Sequence, residues 1–178
     1  MNDRIETAAA LSESAAQAAS VLGEAVCDQI DHWLAKFPPE GRRSAVIPAL
    51  HAAQDANGGS LTTTLMDAVA DYIGMPRVNV YEVANFYSMF DTASVGRHKV
   101  NICTNISCWL MGSDSIVSHC EKKLGIKLGE TTPDGRITLK IEEECLAACV
   151  GGPMMVVDGH YHTDLTAEKV DQILDNLE

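Results

Sequence analysis

Six cysteines, Cys27, Cys103, Cys108, Cys120, Cys145 and Cys149, are spread over 178 residues. Four of them fall in two close pairs, Cys103-Thr-Asn-Ile-Ser-Cys108 and Cys145-Leu-Ala-Ala-Cys149. That distribution reads as metal binding or redox work. Stable disulfides are not expected in a cytosolic chain. Four thiolates suit a 2Fe–2S cluster, with two cysteines on each iron. Such a site is anionic, and reduction adds a further negative charge. Loop amides and a helix N-terminus aimed at the sulfurs offset that charge. Gly112, Gly151 and Gly152 leave the backbone open enough for this, although each also fits ordinary turn chemistry. The rival for four cysteines is structural zinc, whose modules commonly use C-x-x-C. Gaps of four and three residues lean away from zinc without removing it. A thiol–disulfide enzyme would want C-x-x-C, and the sequence has none.

The remaining candidates are weaker. Cys120 shares a helix face with Val117 and Leu124 and reads as a small core residue. Cys27, beside Val26, reads likewise. His160 and His162 share one strand face, a possible metal pair, but they are expected to be surface or edge residues. No phosphate loop, dinucleotide fingerprint or activated serine is present, and the Gly58-Gly59 and Gly151-Gly152 pairs are too short to mean nucleotide binding. Any nicotinamide or flavin served by this chain must sit on another subunit. No catalytic residue is assigned.

The elements that position the cysteines follow from periodicity. Val26, Ile30, Trp33, Leu34 and Phe37 predict a helix over Glu24 to Phe37, stopped by Pro38-Pro39. A second helix is expected from about Ser44 to Asn57, ended by Gly58-Gly59. A third starts near Ser60 or Thr62 and closes at Gly74. A fourth follows Pro76, with Val80, Val83, Tyr87 and Phe90 on one face. The first half is thus a small helical bundle. After Gly96 the pattern changes. Strands are expected at 98–102, 136–141, 154–157 and 160–163, with an Asp158-Gly159 hairpin turn between the last two. A helix from Ser113, capped by Ser113, runs to Leu124, and Thr166 caps a last helix. The order β-α-β-β-β-α suggests helices packed on a small mixed sheet. Loops at one sheet edge can bring both cysteine pairs to one point.

Composition bounds the rest. Hydrophobic residues make up 46% and charged residues 21%, which suits a soluble fold with a real core. The net charge of −12 argues against nucleic acid, and against reading two bundle helices as a DNA-binding pair. It favours a partner with basic surface, and around an anionic cluster it favours a low potential. No apolar run reaches membrane-spanning length, and the N-terminus shows no signal or presequence pattern. The expectation is a cytoplasmic chain without membrane insertion.

From about Phe37 to the C-terminus the sequence resembles a known family. The carriers are the two cysteine pairs, Val83-Ala84-Asn85-Phe86-Tyr87-Ser88-Met89-Phe90, Lys122-Lys123-Leu124-Gly125-Ile126-Lys127, Gly129-Glu130-Thr131-Thr132-Pro133-Asp134-Gly135 and Gly152-Pro153-Met154. Together they are similar to the small iron–sulfur subunit of the NADH dehydrogenase module of respiratory complex I, NADH:quinone oxidoreductase. Residues 1–22, rich in Ala, Ser and Glu, fall outside the match and read as a flexible tail or a frayed helix. The chain is expected to be α+β: after the helical bundle over 23–95, the resemblance implies a thioredoxin-like ferredoxin domain with a small mixed sheet over 96–178. It implies one 2Fe–2S cluster on Cys103, Cys108, Cys145 and Cys149, near FMN on a neighbouring flavoprotein subunit that also binds NADH. That cluster would take an electron from the flavin and hold it. The large multi-cluster iron–sulfur subunit is a second expected partner. The complex would lie peripherally on the inner face of the bacterial cytoplasmic membrane, or on the matrix side of the mitochondrial one. The equivalent diaphorase subunit of an NAD-linked hydrogenase or formate dehydrogenase is the near alternative. A zinc-stabilised interaction module is the alternative of another class. Ala147 departs from the family's usual glycine between the second pair of ligands. A φ above zero there would cost a methyl-bearing residue about 1 kcal/mol. Pro153 stands where thioredoxin-like folds often carry a cis proline.

Overall fold

The computed structural model describes residues 14–141 and 145–178. The chain divides into two compact units, one ending at Ser94 and the other spanning Val95–Glu178.

The first unit is helical. Residues 14–22 form α1, followed by α2 (Glu24–Leu34), a 3-10 segment (Pro39–Ala45), α3 (Val46–Ala56), α4 (Thr63–Ile73) and α5 (Arg77–Phe86). Residues 14–22 therefore correct the expectation of a tail through residue 22. Ala18 and Leu22 are buried in the same core as Val26, Ile30, Leu50 and Val69. Each large apolar side chain in that core contributes about 1.5–3 kcal/mol by leaving water. The Thr62 side chain accepts the Leu65 N–H at the start of α4, and Gly74 ends that helix in the left-handed region (φ 75°). The expected fourth helix is shorter than its apolar spacing suggests. Tyr87 turns extended, and Phe90 reaches the core from beyond the helix end. The cause is a tertiary clamp. Buried Gln54 donates to the Met89 carbonyl (3.1 Å) and accepts from the Asp91 N–H (2.7 Å). These bonds satisfy backbone groups that a longer helix would have paired internally.

The second unit is α+β. It runs β1 (His98–Ile102), α6 (Ile106–Leu110), α7 (Ser113–Leu124), β2 (Ile137–Lys140), a 3-10 turn (Cys149–Gly151), β3 (Met155–Val157), β4 (His160–His162) and α8 (Ala167–Asp175). The sheet order is β2-β1-β3-β4. β1 and β2 are parallel, with Val100 opposite Leu139, and the other two pairings are antiparallel. A parallel neighbour requires a crossover, which α6 and α7 supply. Ile116 and Cys120 of α7 and Val170 and Leu174 of α8 bury against Val100, Ile102, Ile137, Leu139, Met155 and Val157. His119 and Lys123 of α7 reach Asp171 of α8 at 2.8 and 3.2 Å.

Two details differ from the sequence reading. The residue capping α7 is Gly112 (φ 96°), while the Ser113 hydroxyl is buried without a hydrogen-bond partner. The short helix α6 falls where the sequence predicts a loop. Five residues are too few to show a period, and only Asn105, whose side chain accepts the Ile106 N–H (3.1 Å), signals its start.

Candidate metal centre

The first cysteine pair comes from the β1–α6 corner. β1 ends at Ile102 and delivers Cys103, whose N–H donates to the Met154 carbonyl (3.1 Å). α6 then folds Cys108 back toward it. Both residues are 1% exposed and pack with Met154, which is fully buried. The second pair comes from the turn before β3. Cys145 and Cys149 are both exposed, with their sulfurs 3.6 Å apart. The two pairs are neighbours: Cys103 lies near enough to both Cys108 and Cys145 to act on their thiols. The fold thus places the two pairs singled out by spacing on neighbouring loops, one pair buried and the other open.

Backbone donors serve both halves differently. Burial, and next the neighbouring Cys103, push the Cys108 thiol up to about 11, and the Met154 N–H offsets only part of that. Cys145 is held below the usual thiol value, first by the N–H of Ala147, then by its bonds to Cys149 and Cys103. Ala147 achieves this in the left-handed region, at φ 61°. Cys108 is therefore the thiol that most needs a cation to become thiolate, whereas Cys145 is already biased that way.

The backbone comes close where the sequence has Gly151-Gly152. A Cβ on Gly152 would lie 3.0 Å from Met111 Sδ and 3.4 Å from Cys108 Sγ. A Cβ on Gly151 would collide with Thr163 Cβ at 2.5 Å. The Gly152–Pro153 peptide is cis, as the position of Pro153 suggests.

The donor set fits a 2Fe–2S cluster. Four thiols lie in two contacting pairs, and an N–H reaches a sulfur in each. Among the described residues, no group of three or more His, Cys, Asp or Glu side chains is drawn together around one ion. Cys120 lies apart in the sheet core, fully buried, its thiol pushed by burial up to about 12. Cys27 belongs to the helical unit, where burial also raises it. His160 and His162 sit on the edge strand β4.

One feature of the site escapes the sequence reading. Ile106, Trp109, Leu110 and Met111, all on or next to α6, are exposed, and Val150, beside Cys149, is fully so. Trp109 is pinned, its indole N–H donating to Asp114 Oδ2 (2.7 Å). An apolar residue beside a cysteine reads as core from sequence; only the fold turns these outward.

Residues 30–178 match the family model of the thioredoxin-like 2Fe–2S ferredoxins. The chain belongs to that family. Among the ferredoxin's curated relatives is an NADH-quinone oxidoreductase subunit of Rickettsia conorii, 48% identical over 143 residues, covering 80% of this chain and 85% of the relative. The corresponding protein of Rickettsia felis is 49% identical over 140 residues, covering 79% and 83%. NADH dehydrogenase (ubiquinone) flavoprotein 2, mitochondrial, of Dictyostelium discoideum is 43% identical over 149 residues, covering 84% and 60%. Among solved structures, an NAD+-reducing NiFe-hydrogenase in the H2-reduced state superposes with a TM-score of 0.63 at 17% identity. The match covers 74% of this ferredoxin and 22% of the hydrogenase chain, and it is a likeness of fold.

Proposed function

We propose that this ferredoxin is the electron-carrying subunit of an NADH:quinone oxidoreductase. It would hold one 2Fe–2S cluster on Cys103, Cys108, Cys145 and Cys149 and exchange an electron with FMN on a neighbouring flavoprotein subunit. The observation that carries this reading is the nearness of the two thiol pairs, supplied by separate loops of one ferredoxin fold. When bound, the cluster supplies one-electron chemistry whose potential follows hydrogen bonds, charge and exposure. The chain's own residues set those terms. The N–H groups of Met154 and Ala147 stabilise negative charge on Cys108 and Cys145. Burial of Cys103 and Cys108 keeps water from that half, and the net charge of −12 disfavours added electrons.

The partner reading rests on names and surface together. Relatives about half identical to this chain are named as subunits of NADH-quinone oxidoreductase. The cysteine loops carry exposed apolar side chains, Ile106, Trp109, Leu110 and Met111 around Cys108 and Val150 beside Cys149, and exposed apolar clusters of this kind mark protein contacts. The flavoprotein subunit, binding FMN and NADH, is the occupant of that surface. The large multi-cluster iron–sulfur subunit is a further neighbour. Among the described residues no helix is long and apolar enough to cross a membrane. In this reading the chain is attached through its partners, on the inner face of the cytoplasmic membrane.

Absorption and electron paramagnetic resonance spectra of the purified full chain, before and after dithionite, test the cluster. About two irons per chain and a one-electron signal on reduction are expected. A colourless chain with one zinc and no iron overturns the reading in favour of an interaction module. Co-purification with hydrogenase or formate dehydrogenase subunits overturns the choice of complex alone.

A further inference from the structure

The four thiols are unequal in access. Cys103 and Cys108 are closed off from solvent, and Cys145 and Cys149 are open to it. The open pair is also preset for mutual contact. Cys145 and Cys149 are four residues apart on one tight turn, the left-handed Ala147 folds the chain back between them, and their sulfurs already stand 3.6 Å from each other. A disulfide needs about 2.05 Å between sulfurs, a closure within reach of side-chain rotation on an exposed turn. Neither buried thiol can be attacked by a bulky disulfide without opening the core. The remaining cysteines are less open, since Cys120 is sealed beneath the sheet and Cys27 packs against the core of the helical unit.

We propose that Cys145 and Cys149 form a reversible regulatory disulfide in the chain before its metal is loaded, so that a small-molecule disulfide can switch the site between closed and loadable. The reaction is thiol–disulfide exchange with glutathione disulfide. One thiolate of the pair attacks a glutathione sulfur, breaking the glutathione S–S bond and releasing one glutathione. The second thiolate then attacks the mixed disulfide and releases the other glutathione. Two protein thiols lose two electrons, glutathione disulfide gains them, and the two thiol protons end on two glutathione molecules. The oxidised chain has lost two of its four ligands while Cys103 and Cys108 stay reduced. Such a bond is the transient, sensing kind found in reducing compartments. The proposal draws on exposure and distance and holds whether the loaded metal is an iron–sulfur cluster or zinc.

The test uses the full-length chain, freed of metal by chelation, with its fold checked by circular dichroism. It is treated with glutathione disulfide and then alkylated and mapped by mass spectrometry. A single intramolecular Cys145–Cys149 bond is expected, forming at least about tenfold faster than any loss of Cys103, Cys108 or Cys120 thiols. Metal uptake should fall in proportion to that bond and return with dithiothreitol, and the metal-loaded chain should resist. The Cys103→Ser/Cys108→Ser chain, which keeps the open pair and neither buried thiol of the site, should still close the same bond. Persistent glutathione adducts on both residues, scrambled pairing among the six cysteines, or a bond from Cys103 to Cys145 would each overturn the proposal. A colourless, zinc-binding chain that still forms the bond would sink the electron-transfer reading and leave this one standing.

Discussion

The backbone N–H of Ala147 donates to the sulfur of Cys145, and Ala147 occupies a left-handed conformation to do so. An alanine there carries a strain that glycine would not. Ala147→Gly should keep the N–H in place and raise the stability of the loaded chain by up to about 1 kcal/mol, less whatever glycine's added freedom removes. Ala147→Val should lower it, because a β-branched side chain fits that region worse still. Thermal melts of the two variants, with the paramagnetic spectrum as a check on the site, decide it. Equal melting points for all three chains would show that the turn carries no strain.

Serine at each cysteine separates ligands from bystanders. Cys103→Ser, Cys108→Ser, Cys145→Ser and Cys149→Ser should each lose the cluster or change its spectrum severely. Cys120→Ser should keep the spectrum yet lower stability by about 1–3 kcal/mol, since it buries a hydroxyl in an apolar core. Cys27→Ser should change neither. Iron content and spectra of the six variants are the measurement, and a normal spectrum for any of the first four removes that residue from the ligand set.

Gly152 offers a separate probe. An added methyl would press on Met111 Sδ and Cys108 Sγ, so Gly152→Ala should perturb the spectrum more than the melting temperature. Gly151→Ala should do the reverse, because its methyl collides with Thr163 instead. Identical behaviour of the two variants would contradict the distances.

How much of this was legible in sequence depends on the range of the cause. The helix Ser113–Leu124 could be read to the residue, because its end at Gly125 and its apolar face are local signals. The end of α5 could not, since it is fixed by Gln54, more than thirty residues away. The cysteine pairs declared themselves by spacing. Their unequal burial did not, because it depends on which loop lands beneath Met154 and which stays outside. Ala147 was visible as an oddity, but its role needed the φ angle and the N–H direction.

The pH response of the second unit should carry the mark of His98. Its Nδ1 lies 2.7 Å from Asp158 Oδ2 and its Nε2 2.8 Å from the Glu178 oxygen. The Asp158 carboxylate, ahead of the opposing effect of burial, raises the imidazole above its ordinary value. A raised value means the folded state holds the proton more tightly. The pair's stabilisation is therefore complete below the unfolded value of about 6.5 and fades as pH rises through the folded value above it. Melting temperature measured from pH 5 to 9 should fall across that upper range more for the native chain than for His98→Gln. Parallel curves would remove His98 as the cause. Solvent access at this pair keeps the effect small.

Trp109 is where docking of a partner should be most sensitive. It is 55% exposed, directly follows a proposed ligand, and is held rigid by Asp114. A fixed, exposed tryptophan among exposed apolar neighbours loses little entropy on burial and can fill a pocket on the partner. Trp109→Ala should weaken binding to the proposed flavoprotein partner by about 2 kcal/mol or more, roughly a thirtyfold rise in dissociation constant. Asp114→Ala should weaken it less, because the ring remains but is no longer oriented. Both variants should keep the native cluster spectrum when purified alone, which separates a docking defect from a damaged site. Binding unchanged in Trp109→Ala, with Ile106→Ala and Leu110→Ala equally silent, would move the interface away from these residues.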